Sequence, residues 1–530
     1  MEPDRRQTMA TQSAQKAEKY SRIIAQAITT FVLMSMLLTG CATRPKVKLS
    51  DAFDEQAIAA EITASGANAL DNEIRPVSQK MIRKSAMAAQ ASILFVRSVH
   101  IDPINRPVSN FLSLTSYVLK SATGLFRRTA LNTVQFPALE RRAIPEVAFA
   151  DSMDLEKWEK DLDRISGRKQ SKGTIEFLID GKEYFPRMLE AVGEAKESID
   201  IRTYIFDNDD YAVKVADALK EKSQDVRVRI LVDAFGSMVA AQADAKSMPK
   251  DFQGPLSIEQ YMERDSKVKF RSRAIPWMTG DHTKTTIIDQ KLAFIGGMNI
   301  GREYRYDWHD LMMEVTGPVV DHLQYDTNKA WARASVFGDV ANFFAFLRGE
   351  KKKADDHGYP IRVLYTATHD SQIYRAQLAA IRRSQSYILI ENAYFSDDVI
   401  LYELAKARRR GVDVRVILPA EGNHGPHNAS NRVTINKMLQ NGIRVYQYPG
   451  MSHIKAAIFD GWACVGSANF DKLSFQVNRE VNLATSHKPV VDDLLDRLFI
   501  PDLARSTEIS EMLDLTMQAR ILEMVVDEVM

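Results

Sequence analysis

The chain has 530 residues, of which 70 are Lys or Arg and 69 are Asp or Glu, so its formal net charge at pH 7 is +1. Hydrophobic residues make up 45% and charged residues 26%, which is typical of a globular protein and excludes a collagen-like or wholly disordered chain. The two cysteines, Cys41 and Cys464, exclude a disulfide framework and a structural zinc site built on several cysteines. A nearly neutral chain also lacks the positive field that gathers long nucleic acids.

The N-terminus has the charge order of an export signal. Residues 23–38 are mostly apolar and follow several basic residues, but this run is shorter than the roughly 20 residues that a bilayer span needs. The run ends at Leu38-Thr39-Gly40-Cys41, which resembles a bacterial lipobox, so we predict that Cys41 is lipidated. An uncleaved anchor helix is the alternative. Because Ala42 follows the cysteine, we expect a lipid-anchored envelope protein on the outer membrane, facing the periplasm.

In the rest of the chain, the composition and the hydrophobic pattern change at residue 171. Before it, Ala- and Ser-rich sequence with helical spacing predicts a helical region without assigned chemistry. After it, β-branched runs alternate with amphipathic helices in two similar series, the pattern of a duplicated α/β unit. The predicted organisation is a signal segment (1–41), a helical region (42–170), a first α/β lobe (171–347), a charged linker (348–360), a second α/β lobe (361–500) and a helical tail (501–530).

The duplication is sharpest in two copies of the pattern His-x-Lys-x4-Asp. The copies are His282, Lys284 and Asp289 in the first series and His453, Lys455 and Asp460 in the second, with 171 positions between equivalent residues. Residues i and i+2 of a strand face the same side, so each copy presents an imidazole beside a cation, a pair suited to a phosphate.

Other residues of the repeated stretches suggest further roles. Asp289 and Asp460 complete the motif and are grouped with the candidate catalytic residues, although their parity and their place before a new strand are typical of turn residues. Asn299, Asn469 and Ser467 follow the next strand-like run in each copy. We predict that these three bind phosphate oxygens, because small residues allow close backbone approach and amides donate hydrogen bonds.

Two carboxylates recur at similar distances after the histidines. Asp310 follows His282 by 28 residues and Glu480 follows His453 by 27, both at strand-like runs. We predict that they orient the two imidazoles, as in other base-and-orienter pairs. Each carboxylate, considered alone, could instead be a surface charge at the end of a strand. The repeated offset from the histidines argues against that alternative. His309 stands beside Asp310, but neighbouring strand residues face opposite ways.

With these motifs in place, the sequence resembles the phospholipase D superfamily and, within it, the bacterial cardiolipin synthases. The resemblance covers about residues 171–500 and includes YIFDND, GGMNIGREY, GPVV, RGVDVRVILP and VGSANFDKLSF. It implies an α/β fold of two phospholipase D-type lobes with mixed central sheets, related by a pseudo-twofold axis, besides the helical N-terminal segment. It also implies one shared site between the lobes, a phosphohistidine intermediate, and neither metal nor cofactor.

The resemblance assigns roles to the motif residues. It implies that one histidine, for which we prefer His282, attacks phosphorus while His453 acts as general acid and then general base. The motif lysines and asparagines would hold the non-bridging oxygens. The implied function is a membrane-tethered phosphatidyltransferase of cardiolipin synthase type, with phospholipid and membrane surface as partners and no nucleic acid. A hydrolytic phospholipase D is the alternative, while a nuclease and a non-catalytic lipid-binding lipoprotein are less favoured.

Several other residues were weighed. His424 and His427 lie in a polar loop without a nearby carboxylate or cysteine to complete a metal site. Arg408–Arg410 end a predicted helix, where cations complement the helix dipole, and Cys464 lies in an apolar strand as an inert thiol. Four aromatic residues occupy equivalent strand ends and either wall a substrate channel or pack in the core: Tyr204, Phe206, Tyr394 and Phe395.

Overall fold

The computed structural model describes residues 103–515 apart from 149, 241–243, 274–279, 350–356 and 423–424, together with residues 85, 89, 92, 93 and 96. The described residues belong to one unit, which begins at Val77. Cys41 and His424 lie outside the described residues, so lipidation of Cys41 stays a prediction. Within the described part of the chain, no helix combines the length and apolar content that crossing a bilayer requires.

In the described part of the N-terminal region, helices precede the first strand. They are α1 (Pro107–Ala130), which runs through a π-helical turn (Leu131–Gln135) into α2 (Phe136–Glu140), and α3 (Leu155–Ser166). The Asp154 carboxylate caps α3 by accepting a hydrogen bond from the Lys157 backbone N–H at 3.0 Å. Trp158 of α3 packs edge-on against Trp462, with 5.2 Å between ring centroids. These helices are therefore docked on the second lobe.

The first lobe begins with a strand–helix alternation and ends in antiparallel strands and two helices. Its elements are β1 (Ser171–Ile179), α4 (Asp180–Glu194), β2 (Ser198–Thr203), α5 (Asp210–Lys222), β3 (Arg227–Asp233), α6 (Ala234–Ala240), α7 (Ile258–Glu263), β4 (Lys269–Arg273), β5 (Thr285–Ile288), β6 (Leu292–Gly296), α8 (Arg302–Tyr306), β7 (Leu311–Thr316), α9 (Val319–Arg333) and α10 (Gly338–Leu347).

The second lobe repeats this order. Its elements are β8 (Tyr359–Ala367), β9 (Asp370–Ser371), α11 (Gln372–Arg383), β10 (Tyr387–Asn392), α12 (Asp398–Arg409), β11 (Asp413–Pro419), α13 (Gly425–Gln440), β12 (Arg444–Tyr448), β13 (Lys455–Phe459), β14 (Trp462–Gly466), α14 (Lys472–Gln476), β15 (Glu480–Thr485), α15 (Lys488–Leu494), a π-helical turn (Leu495–Phe499), α16 (Ile500–Arg505) and β16 (Thr507–Ile509). Strand β8 takes in the end of the predicted linker, and β16 pairs with β12 where we predict a helical tail.

Strand order shows the duplication directly. From the centre outward, the first lobe has the order β1-β7-β6-β5-β2-β3-β4 and the second has β8-β15-β14-β13-β10-β11-β12. In each lobe the outer three of these strands run parallel and the others antiparallel, so both sheets are mixed as predicted. The lobes join where β1 pairs antiparallel with β8.

Successive side chains of the strands belong alternately to two different hydrophobic cores. Ile287 and Ile295 belong to a buried cluster that also contains Ile458 and Val465 of the other lobe. Neighbouring strand residues, such as Phe294, instead join an outer cluster shared with α4 and α5. Because successive strand residues face opposite sides, one face of each sheet contributes to a core that both lobes share, and the other face packs against outer helices. The shared core also contains Val319 and Val320 of α9 and Val490 and Val491 of α15, so helices pack on both faces of the sheets.

The seam between the lobes requires a glycine. Gly358 has φ +98°, and a Cβ at this position would lie 2.1 Å from the backbone oxygen of Gly173 in β1. Glycine alone combines the left-handed conformation with such a close backbone approach. The chain can therefore enter β8 directly beside β1.

Asp289 and Asp460 occupy turns at the far ends of the motif strands. Both have positive φ, +50° and +48°. The Asp289 carboxylate accepts hydrogen bonds from the backbone N–H groups of 196–198 at 2.7–2.8 Å, and Asp460 makes the equivalent bonds to 385–387 at 2.7–3.1 Å. The structure thus gives both aspartates the turn role that their parity suggests and moves them out of the candidate catalytic set.

His309 ties the first lobe to the C-terminal helix. Its Nδ1 lies 2.6 Å from Asp180 Oδ1 and its Nε2 lies 2.9 Å from Asp502 Oδ2, while Tyr448 stacks on the ring. Although burial opposes it, the hydrogen bonds to the two carboxylates raise the pKa of His309 to about 10. His309, Glu391 and Asp502 are close enough to hold a metal ion. However, an imidazolium that donates from both nitrogens has no lone pair for a metal.

We predict that Asp289→Ala lowers the free energy of unfolding by about 2–4 kcal/mol, because three backbone donors lose their acceptor and alanine tolerates the left-handed conformation poorly. Asp289→Asn is the matched control, since asparagine accepts this conformation and keeps one acceptor oxygen. Urea unfolding measures both. Equal stability of Asp289→Ala and the parent protein would contradict the turn role.

The His309 network makes stability depend on pH. The imidazole has a pKa near 10 in the folded state against 6.5 as its ordinary value, so its contribution is complete below pH 6.5 and is lost as pH rises toward 10. His309→Gln should lower the free energy of unfolding by about 3–5 kcal/mol at pH 6 and by clearly less at pH 9.5. Denaturant unfolding of both proteins across this range measures the difference. A difference that stays constant with pH would refute the assignment.

Candidate active site

Each motif histidine and lysine lies on the extended approach to a central strand. Lys284 immediately precedes β5, and Lys455 is the first residue of β13. The two lysines are almost completely buried, with exposed fractions of 1% and 2%. His453 is also buried, while the His282 side chain remains 12% exposed. In each lobe the imidazole and ammonium groups thus come from one short stretch at the entry to the strand, whereas the sequence pattern places them within a strand.

Short backbone bridges cross between the lobes beside both motifs. Asp281 bridges Arg479, and the His282 N–H donates to the Arg479 carbonyl at 2.9 Å. In the same way His309 bridges Ser452, and the His453 N–H donates to the His309 carbonyl at 2.7 Å. Each motif is thus held against the segment that carries the other lobe's carboxylate.

The carboxylates orient the histidines crosswise. Glu480 of the second lobe binds Nδ1 of His282, with its two oxygens 3.0 and 3.1 Å away. Asp310 of the first lobe binds Nδ1 of His453 at 2.7 Å. Pairing within each lobe, which the repeated offsets suggest, is therefore wrong, because the bridges bring each carboxylate to the opposite lobe. With Nδ1 facing a carboxylate, the reactive lone pair of each ring belongs to Nε2.

Ser467 supports Glu480 in place of the phosphate contact that we predict for it. Its hydroxyl donates to Glu480 Oε2 at 2.5 Å and accepts from the Val481 N–H at 3.0 Å, and the residue is fully buried. The equivalent position in the first lobe is Gly297, where a Cβ would lie 2.1 Å from Asp310 Oδ1. The two lobes thus hold their carboxylates differently, one by a hydroxyl and one by close backbone approach.

The two asparagines have different surroundings. Asn299 is buried; its Oδ1 accepts from the Ile205 N–H at 3.0 Å and its Nδ2 donates to the Tyr304 hydroxyl at 2.7 Å. It therefore positions an aromatic ring near His453 as well as its own loop. Burial raises the pKa of Asp471 to about 7, and a hydrogen bond with the Asn469 side chain opposes that rise. Phosphate binding by either asparagine stays a prediction.

Buried charges from both lobes act on one another. Lys284 Nζ donates to the His282 carbonyl at 2.8 Å, and Lys455 Nζ donates to the His453 carbonyl. Burial lowers the pKa of Lys455 to about 8 and that of Lys284 well below its usual range. Glu480 opposes the shift of Lys284, whereas the positive charge of Lys455 adds to it. Because these groups from opposite lobes interact through space, the two motifs converge on one site.

The titrating groups favour a division of labour between the histidines. Burial lowers the pKa of His282, and Glu480 opposes that effect. Burial raises the pKa of Asp310 to about 7, against the opposing charge of Lys455. His282 is therefore neutral at pH 7, while Asp310 and His453 form a pair that can retain a proton.

Aromatic rings line the site from both lobes. Tyr204 contacts His282 edge-on at 4.9 Å, and Trp308 lies 5.1 Å from His453. Tyr394 lies 6.4 Å from His453 and stacks on His427. Phe206 and Phe395, by contrast, are buried in the outer cores. The tyrosines of the four predicted aromatics thus wall the site, and the phenylalanines pack.

The remaining predictions concern structure. Arg408 donates to the carbonyls of Gly442 and Pro145, and Arg410 donates to the Ile381 carbonyl in the last turn of α11 at 2.7 Å, so these two arginines bind neighbouring segments. Cys464 is fully buried, and burial raises the pKa of its thiol to about 11, as expected of an inert cysteine.

Sequence reasoning missed a cationic cluster next to His282. Arg202 binds Asp281 through Nε at 2.9–3.0 Å and Asp326 at 2.6 Å. Arg479 lies nearby, and burial followed by the charge of Arg333 lowers its pKa well below the usual range. Alignment of the two copies could have pointed to Arg479, because it places Arg479 at the position that His309 has in the first lobe. The anionic phosphate that we expect at the site would face additional positive charge here.

Comparison with known proteins agrees with this geometry. The family model described as "Cardiolipin synthase, PLD-like domain" matches residues 188–331 and 378–499, which contain both motif copies and both carboxylates. Cardiolipin synthase B of Salmonella typhi is 28% identical over 338 residues, which cover 61% of this chain and 79% of the relative. A cardiolipin synthase of Listeria innocua is 28% identical over 352 residues, which cover 63% and 70%.

A solved structure shares the fold. The crystal structure of phosphatidylserine synthase from Haemophilus influenzae has a TM-score of 0.53 and 13% sequence identity, and the match covers 69% of this chain and 96% of that chain. Because the family model spans half of the sequence and includes every residue of the crossed site, the chain belongs to the PLD-like domain family of cardiolipin synthases and is an enzyme of the phospholipase D superfamily.

Proposed function

We propose that the protein is a membrane-tethered phosphatidyltransferase of cardiolipin synthase type that works through a phosphohistidine intermediate. The observation that carries the proposal is the crossed arrangement, in which His282 and His453 each face the other lobe's carboxylate. Two imidazoles and two ammonium groups at one buried site suit the displacement of one alcohol from a phosphodiester by another. The relatives named as cardiolipin synthases support the same class of substrate.

In the first step, Nε2 of His282 attacks the phosphorus of a phospholipid phosphodiester. A P–N bond forms while the P–O bond to the departing alcohol breaks, and protonated His453 gives its proton to the departing oxygen. The lowered pKa of His282 supports its role as nucleophile, because a neutral ring has the required lone pair. The pairing of His453 with Asp310 supports its role as acid.

In the second step, the acceptor hydroxyl gives its proton to His453 while its oxygen attacks the phosphorus. The P–N bond breaks, which restores His282 and leaves His453 protonated for the next cycle. With phosphatidylglycerol as both donor and acceptor, the products are cardiolipin and glycerol. Water as acceptor gives phosphatidic acid by the same proton transfers, which defines the hydrolase alternative.

The motif lysines supply positive charge to the phosphate. Each ammonium group carries three hydrogens, of which one binds a backbone carbonyl, so hydrogens remain for non-bridging oxygens. Each well-placed donor is worth about 3–4 kcal/mol in the transition state. An anionic substrate also raises the pKa values that burial lowers in Lys284 and Lys455, so substrate binding and lysine protonation favour each other.

Product analysis tests the proposed function. Purified full-length protein incubated with vesicles of labelled phosphatidylglycerol should form cardiolipin and glycerol. His282→Ala and His453→Ala should each lower the rate by about 10³-fold or more, because either variant lacks one half of the displacement machinery. His487→Ala, which removes an imidazole stacked on Tyr359 at the lobe seam, should retain activity. Phosphatidic acid as the sole product would establish the hydrolase instead, and plasmid nicking without a lipid product would indicate a nuclease.

The crossed carboxylates predict opposite effects on the intermediate. Glu480→Gln weakens the orientation of His282 and should prevent accumulation of phosphoenzyme from a phosphorus-labelled phospholipid. Asp310→Asn acts on His453, which is the acid of the first step and the base of the second, so turnover on phospholipid should fall by about 10²–10⁴-fold. With a phosphodiester whose leaving group needs no protonation, such as phosphatidyl-p-nitrophenol, only the second step needs His453, and Asp310→Asn should let phosphoenzyme accumulate. Acid quench followed by peptide mapping of the labelled histidine measures both. Label on His453, with the two variants exchanging their effects, would show that the histidine roles are reversed.

A further inference from the structure

Helix α1 has its polar face against the protein and its apolar face turned outward. The inward side includes Ser109, the buried Asn110 and Lys120. The outward residues recur at helical spacing, so they form one continuous stripe. They are Val108, Phe111, Leu112, Val118, Leu119, Leu125 and Phe126, with exposed fractions of 54–79%. This is the reverse of the polarity that a helix on a water-soluble surface normally shows.

The exposed threonines of α1 are also adapted to an apolar surrounding. Thr115, Thr123 and Thr129 each donate a hydrogen bond to the backbone carbonyl four residues earlier, at 2.8–3.0 Å. Hydroxyls satisfied within the helix lose little when water is removed. The outward face of α1 can therefore enter an apolar phase without unpaired hydroxyls.

Helix α10 extends the apolar stripe. Asp339 accepts hydrogen bonds from the backbone N–H groups of Val108 and Ser109 at 2.9 and 3.2 Å, which fastens the start of α10 to the start of α1. The outward residues of α10 and its approach are Val336, Phe337, Val340, Phe343, Phe344, Phe346 and Leu347, with exposed fractions of 55–69%. The outward residues of both helices together are called the α1–α10 surface here.

The α1–α10 surface is connected to the active site. On the inner side of α1, Lys120 Nζ donates to the Gln476 carbonyl and to Ser371 Oγ. Gln476 ends α14, three residues before Arg479, which accepts the backbone hydrogen bond of His282. Helix α1 thus rests directly behind the segment that leads into Glu480.

Basic residues border the surface. Arg127 and Arg348 are exposed at the ends of α1 and α10. An apolar helical face with basic residues at its edge matches the boundary between acyl chains and anionic headgroups. A second copy of the chain would bring these like charges together, which disfavours self-association through this face.

We propose that the α1–α10 surface docks on an anionic phospholipid bilayer, with α1 lying along the headgroup boundary and its phenylalanines among the acyl chains. A helix of this length covers about 36 Å of membrane surface. The docking rests on the proposed function, because it brings the active site to the bilayer that contains the lipid substrate. It is independent of the predicted lipid on Cys41, since it uses a different part of the chain.

Depth-dependent fluorescence quenching tests the docking without requiring catalysis. An environment-sensitive dye is attached to Phe126→Cys or Phe344→Cys in full-length protein carrying Cys41→Ser, where the remaining native thiol, Cys464, is buried. Vesicles of phosphatidylglycerol and phosphatidylcholine carry a nitroxide on the acyl chain. We expect a blue shift and at least twofold quenching at both positions. The matched control is a dye at Lys160→Cys, a highly exposed position on α3, which should show neither.

Three outcomes would overturn the proposal. Equal quenching at the Lys160→Cys position would mean that the chain binds without this orientation. A blue shift before vesicles are added would mean that another part of the chain, or a second copy, covers the surface. If the protein makes cardiolipin but neither dye is quenched, the docking is wrong and the proposed function still holds.

Activity provides the second readout. Phe111→Ser combined with Phe126→Ser should lower the rate on phosphatidylglycerol vesicles by at least tenfold and leave the rate on a water-soluble short-chain analogue within twofold. Because both side chains are exposed, their replacement should not unfold the protein. Equal losses on both substrates would instead indicate damage to the active site and would count against the docking.

Discussion

Each lobe supplies the carboxylate that orients the other lobe's histidine. This exchange depends on two short backbone bridges, Asp281 with Arg479 and His309 with Ser452, which set the separation of the lobes beside the reacting groups. A small shift between the sheets would lengthen both hydrogen bonds to the imidazoles at once. The large common core and the β1–β8 seam are therefore requirements of the site as well as of stability. The core shared by the lobes thus holds the two copied motifs in register.

Charge balance is the second constraint on this site. Lys284 and Lys455 are buried together with Asp310 and Glu480, so removal of any one of the four leaves an unequal charge in a medium of low dielectric constant. The pKa of Asp310 rises and those of both lysines fall, so burial shifts each of these groups toward its neutral form. The negative charge of a phosphodiester would oppose the fall of the lysine pKa values.

The two lobes and the motif histidines and lysines could be predicted because the duplication is visible in the amino-acid sequence. The spacing of His282 and His453 located both motifs, and parity separated the lysines from Asp289 and Asp460. The crossing of Asp310 and Glu480 could not be found this way, since equal offsets describe position along the chain and carry no information about which segments of the two lobes come together. The hydrogen bond of Ser467 to Glu480 was also not predictable, because a small residue near a phosphate site has the same sequence pattern whether it binds substrate or supports a carboxylate. Helical spacing likewise identifies the apolar stripe of α1 but not the side on which it lies.

The crossed carboxylates also bear on how such a chain can arise. A polypeptide with one lobe would contain a histidine and a carboxylate that do not form this hydrogen bond within the same molecule. Such a polypeptide could form a complete site as a symmetric homodimer, in which the carboxylate of each subunit orients the histidine of the other. In a single chain the two halves can diverge separately, and the equivalent positions 309 and 479 carry His and Arg.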